Sequence, residues 1–106
     1  MVSPQEVRQL ALSLPNTVEQ PHFEKTSFRV NKKIFATMDL KSKRVVVKLN
    51  EIDQSVFCDF NSNIIYPVKG AWGKQGWTFI ELKKVKKSIL KDALHSAFAL
   101  VSKGKN

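Results

Sequence analysis

The chain has 106 residues, 42% of them hydrophobic, and sets 18 Lys and Arg against nine Asp and Glu, for a net charge of +9. That length sustains one domain with a modest core, so residues 1–106 read as a single domain, and no apolar run is long enough to span a membrane. The single cysteine, Cys58, excludes an internal disulfide, and without a signal-peptide pattern or a Cys/His cluster at zinc spacing the chain is expected to be cytoplasmic and free of metal or other cofactor.

Ser3-Pro4-Gln5-Glu6 is a capping box with proline at the first helical position, and Val7, Leu10, Ala11 and Leu14 follow at helical spacing until Pro15-Asn16 stops the helix. A loop containing Pro21 then leads to a strand in which Thr26, Phe28 and Val30 alternate with Lys25, Ser27 and Arg29, half-buried with a basic outer face. Asn31-Lys32 makes a tight turn into a second strand, Lys33 to Met38, and Leu40 to Lys43 turn into a third, Arg44 to Leu49. Asn50, three residues before Asp53, caps a second helix. Its buried stripe is expected to be Ile52, Val56, Phe57 and Phe60, with Cys58 inside or beside it, and Asn61-Ser62-Asn63 ends it. After a two-stranded segment, a last helix from Val85 to Ser102 turns Leu90, Leu94, Ala97 and Phe98 inward, and Lys103 to Asn106 are expected to fray. The order α-β-β-β-α-β-β-α is that of an α+β fold, with an antiparallel-dominated sheet of about five strands and the first and last helices on one face.

The segment Ile64 to Leu82 departs most from an ordinary small domain, because it holds both tryptophans. Ile64 to Tyr66 and Trp77 to Ile80 read as paired strands, the first closed by Pro67, and Gly70, Gly73 and Gly76 let the chain turn between them. Trp72 then falls at a loop tip between Lys69 and Lys74, where it either folds down over the core edge or meets a partner, while Trp77 is expected in the core. Tracing the strands up and down brings Lys69 and Lys74 to the same end of the sheet as Lys32 and Lys33, like a pair of wings. The same tracing gathers Lys41, Lys43 and Arg44 near Lys83, Lys84, Lys86 and Lys87 at the other end. Those last four crowd a helix N-terminus whose backbone dipole is already positive, so they would suit a phosphate unless they are simply solvated.

Charge and aromatic placement together favour a nucleic-acid-binding module. The expected contacts are Lys25, Arg29, Lys32, Lys33, Lys48, Lys69, Trp72 and Lys74, with Lys83, Lys84, Lys86 and Lys87 as the alternative phosphate site. Little sequence specificity is expected, since only Arg29 and Asn31 on that surface suit base edges. The competing reading is a protein- or small-ligand-binding adaptor with the Trp72 loop as apolar anchor. Catalysis is not expected and no catalytic residue is assigned. The acids are scattered, His22 and His95 lie far apart, and no phosphate-binding Gly-rich loop is present.

Four stretches carry a family resemblance: ALSLPNTVEQPHFEKTSFRVNKKIFATMDL, VVVKLNEIDQSVFCDF, IIYPVKGAWGKQGWTFIEL and KKSILKDALHSAFALV. In that order, and over nearly the whole chain, they resemble the MmcQ/YjbR family, small bacterial proteins often labelled DNA-binding. The resemblance implies a CyaY-like α+β fold, similar to frataxin's, with a double-wing arrangement taken to indicate DNA binding. Many members carry an Asn-Lys-Lys-His-Trp run where this chain has Gly73-Lys74-Gln75-Gly76-Trp77, so no role of that histidine carries over. Iron binding of the frataxin kind is not expected either, because it uses acidic surface and this chain is basic.

Overall fold

Alternation with a period of two decides the architecture, because each strand can then bury one face and leave the other outside. The computed structural model describes residues 1–103. In chain order these form α1 (Pro4–Leu12), β1 (Thr17–His22), β2 (Lys25–Val30), β3 (Lys33–Asp39), β4 (Arg44–Lys48) and α2 (Glu51–Phe60). There follow β5 (Ile65–Pro67), α3 (Ala71–Lys74), β6 (Trp77–Glu81) and α4 (Lys87–Lys103). The strands make one sheet in the order β1-β2-β3-β4-β6-β5, antiparallel at every pairing.

The α+β architecture is as expected, with six strands in place of about five. The additional strand is β1, which pairs along its whole length with β2, from Thr17 opposite Val30 to His22 opposite Lys25. Pro21 argued for a loop, but β1 is an edge strand, where a residue without an N–H is tolerated. The opposite edge, β5, is three residues long and ends on Pro67.

The packed face is built from Phe28, Met38, Val45, Val47 and Ile80, all fully buried, beneath Leu90, Leu94 and Ala97 of α4. Between Phe28 and Arg29 the register shifts, so that Phe28 faces Ala36 but Arg29 faces Ile34. Phe35 is the extra residue of this bulge. It turns inward and meets Phe98 edge to face, with ring centroids 5.8 Å apart. The capping box of α1 forms as expected: the Ser3 amide donates to Glu6 at 3.0 Å and the Glu6 amide to the Ser3 hydroxyl at 3.2 Å. The bond from the Ser3 backbone, with that from its hydroxyl, holds the Glu6 carboxyl below its ordinary value. Arg8 donates to Glu19 at 3.0 Å, tying α1 to the outer strand.

The expected stripe of α2 is corrected by the fold. Ile52, Val56 and Phe60 are 75%, 63% and 59% exposed. The face that meets the core is the neighbouring one, where Gln54 reaches polar groups of β6 and Phe57 and Cys58 pack half-buried. Burial, with Asp59 alongside, pushes the Cys58 thiol up. Lys103 closes α4, and Gly104 to Asn106, expected to fray, lie outside the described residues. Truncating the core residue should separate the two kinds of position. In chemical denaturation Leu94→Ala should lose about 2–5 kcal/mol, whereas Ile52→Ser should stay within about 0.5 kcal/mol of the parent.

Candidate nucleic-acid interface

Because α1 and α4 cover one face of the sheet, the side chains between the buried ones stand on the other. Their rows follow from the strand register. Nearest the β2–β3 turn, Arg29 faces Ile34 and Lys48 faces Trp77. In the middle row Ser27 faces Thr37, Thr37 faces Val46, Val46 faces Phe79 and Phe79 faces Tyr66. Farthest from the turn, Asp39 faces Arg44 and Arg44 faces Glu81. Trp77, expected in the core, therefore stands on this open face, half-exposed, while its neighbour Thr78 is the buried one.

The far row is internally paired. The Arg44 guanidinium lies 4.1 Å from the Phe79 ring centroid and donates to the Tyr66 hydroxyl at 3.4 Å, and Tyr66 donates to Glu81. Desolvation raises the Asp39 carboxyl, but bonds from the Lys41 amide and from Ser42, with the charge of Lys25, outweigh it and hold the group below its ordinary value. Lys25 thus stands near Asp39, toward the far row, and with His22 lines the same groove as Trp72. The row nearest the turn has cations without carboxylates. Arg29 bonds Ser27 at 3.0 Å, and the Lys48 ammonium lies 5.6 Å from the Trp77 ring centroid.

The β2–β3 turn and the β5–β6 connection lie at the same end of the sheet, as the register of both pairs requires. Lys32 and Lys33 are on the first and Lys69, Trp72 and Lys74 on the second, with β4 and its Lys48 between. Two strand spacings, about 10 Å, separate β3 from β6. The turn itself is unusual in composition. Asn31 has φ 53° and Lys32 has φ 68°, the left-handed pair of a type I′ hairpin, whose second position normally favours glycine. A lysine there is held against its backbone preference.

The β5–β6 connection is not an open loop, because Ala71–Lys74 coil into one helical turn. Gln54 of α2 fixes it from behind, its amide donating to the Gly73 carbonyl at 2.9 Å and to the Thr78 hydroxyl at 3.1 Å. Thr78 in turn donates to the Gly76 carbonyl at 2.9 Å, so the buried hydroxyl is satisfied both ways. A Cβ at Gly73 would fall on the Val68 carbonyl, and one at Gly76 on that of Leu49. Gly76 also has φ +105°, so this backbone admits no side chain at 76. Trp72 is left 61% exposed, turned over the open face rather than down onto the core.

Two grooves occupy that face. One, of 560 Å³, is lined by Arg29, Lys32, Lys33, Lys48, Ile34 and Trp77, with the end of α4 closing it. The other, of 380 Å³, has a floor of Ile34, Thr37, Val46 and Phe79 and walls that include Trp72 and Trp77. Lys83, Lys84, Lys86 and Lys87 stand at the opposite end of the sheet, where the Leu82 amide bonds the Lys43 carbonyl. Lys87 is engaged with Glu6 at 3.6 Å. Of the expected site residues, six therefore share one end, Lys25 lies across the open face from them, and Arg29 joins them from β2.

The family model of YjbR matches residues 12–100. The chain belongs to the YjbR family. Its fold is also that of the Deinococcus radiodurans protein DR2400, whose crystal structure is described by the domain DUF419. The two superpose with a TM-score of 0.86 at 21% identity, over 100% of this chain and 83% of that one, a likeness of fold. No curated protein matches the chain significantly.

The sequence reading missed that the tryptophans share one surface with Phe79 and Val46. The signal was the strict alternation Trp77-Thr78-Phe79-Ile80, which puts both aromatics on one side whichever side that is. Two substitutions test the build of this YjbR site. Gln54→Ala removes the donor to the buried Thr78 hydroxyl and leaves the Gly73 carbonyl only the Gly76 amide at 3.0 Å, and should cost about 1–3 kcal/mol in denaturation while shifting tryptophan emission. Lys32→Gly relieves the left-handed turn and should raise stability by about 0.5–1 kcal/mol.

Proposed function

We propose that this YjbR protein is a nucleic-acid-binding module, with DNA favoured over RNA, that binds rather than catalyses. The observation that carries the reading is the convergence of Lys32, Lys33, Lys69 and Lys74 on one end of the sheet, with Trp72 61% exposed on the β5–β6 connection between Lys69 and Lys74. Cations on two projecting tips suit the phosphates on either side of a groove, and phosphate contacts give affinity without sequence readout. The strained backbone at Lys32 supports the same reading, since a lysine is kept where glycine would be more stable. The net charge of +9 adds a long-range attraction for a polyanion.

A protein- or small-ligand-binding adaptor anchored by Trp72 is the second reading, and the apolar floor beside that ring favours it. Salt separates the two. Counterion release makes phosphate binding fall steeply with salt, while an apolar anchor barely responds.

Four neutralised phosphates give a slope of roughly −3.6 in log affinity against log salt on duplex DNA. Lys32→Ala with Lys74→Ala should flatten that slope by about two units and weaken all sequences alike. Alanine variants at Lys83, Lys84 and Lys86 serve as the control. Loss of binding in these, with normal binding by the wing variants, would move the site to the other end of the sheet. No oligonucleotide binding even at about 50 mM salt would leave the adaptor reading standing.

A further inference from the structure

The two grooves of the open face share a wall, since Ile34 and Trp77 line both. On one side of that wall are four cations, Arg29, Lys32, Lys33 and Lys48, and no carboxylate among the described lining residues. On the other side lie mostly aromatic and aliphatic side chains, Val46, Phe79 and Trp72 among them, with Lys25 and His22 also in the lining. Both grooves are of ligand size, within the range of about 300–1,000 Å³. A bare anion would use chiefly the first, with its four cations, and an uncharged apolar group the second. A ligand that fills both needs an anionic group joined directly to a flat apolar one.

A nucleotide has these two parts. We propose that the open face takes one nucleotide unit with its base unpaired, the base in the apolar groove and the phosphate against Arg29 and Lys48. This rests on the nucleic-acid reading above and narrows it, because a base held in a duplex is paired and stacked and cannot enter a groove floored by a sheet. The ring on which the base stacks is Trp72. Arg44 already covers the Phe79 ring at 4.1 Å and Lys48 stands over Trp77 at 5.6 Å, whereas Trp72 is 61% exposed. Thr37 on the floor, with His22 and Lys25 also lining the groove, can reach polar edges of the base, while stacking on Trp72 tolerates any base. The cations of the β2–β3 turn belong to the same site, and the turn works as a phosphate clamp beside the sheet.

The test is fluorescence anisotropy of a labelled single strand of about ten nucleotides against a duplex of equal length, at one salt concentration. The single strand should bind at least about tenfold more tightly. Trp72→Ala should weaken the strand by about 5- to 150-fold and leave the duplex unchanged. Val46→Glu, which puts a carboxylate on the groove floor, should abolish strand binding. Arg29→Gln with Lys48→Gln is the second variant should that one not fold, and thermal melts identify which variants are folded. Adenosine monophosphate should displace the strand and adenosine should not. An affinity for the monophosphate equal to that for the strand upholds the site with the free nucleotide as its source, and an affinity that rises with strand length upholds it with the strand. A duplex bound as tightly as the strand, with both indifferent to the groove variants, would overturn the inference and leave the wing reading intact. Failure of strand, duplex and monophosphate alike would overturn both.

Discussion

The burial of Phe28, Met38, Val45, Val47 and Ile80 under α4 sets the direction of every other side chain in the sheet. A strand has a period of two, so fixing one residue inward fixes its neighbours outward, and a slip by one would exchange the faces entirely. Arg29, Lys48, Trp77 and Phe79 stand together on the outside for this reason, and not because any contact among them is strong. The bulge at Phe35 is the one place where the rule bends. It lets β3 supply two consecutive inward residues, Phe35 and Ala36, while Ile34 and Thr37 keep their places on the open face.

Behind the aromatic segment the arrangement is more specific than packing alone. Gln54 donates forward to Gly73 and Thr78, and Thr78 donates on to Gly76, so α2, α3 and β6 are joined by side-chain bonds through partly or fully buried atoms. Such a chain has directional requirements that an apolar contact lacks. It holds Trp72 in place from the side opposite to the one on which a ligand would arrive, and leaves the ring exposed without leaving its backbone loose. The two close glycines are part of the same arrangement, since the carbonyls of Val68 and Leu49 occupy the space a side chain would need.

Much of this was legible in the sequence where local chemistry decides. The Ser3/Glu6 capping box, the Asn50 cap on Asp53 and the tight turn at Asn31-Lys32 all have side-chain or backbone requirements that a few residues reveal. The convergence of the two wing connections followed from counting strands up and down. What was not legible depended on distant partners. β1 is polar and contains Pro21, and only its place at the sheet edge makes it a strand. Trp77 and Ile80 are both apolar, so the pattern could not say which of the two faces in; the bond from Gln54 that satisfies Thr78 in the core is twenty-four residues away in the chain. In α2 the apolar residues outnumber the positions that the core can receive, and Ile52, Val56 and Phe60 wind off to the outside.

The prolines at the two rims of the sheet have a consequence for assembly. Pro21 sits in β1 and Pro67 closes β5, the outermost strands on either side. A rim that lacks an amide donor is a poor template for a further strand, and β5 offers only three residues in any case. Sheets of neighbouring molecules are thereby discouraged from fusing edge to edge into larger aggregates. Edge pairing being disfavoured at both rims, the broad aromatic side is the part of the sheet that the fold leaves open to other molecules.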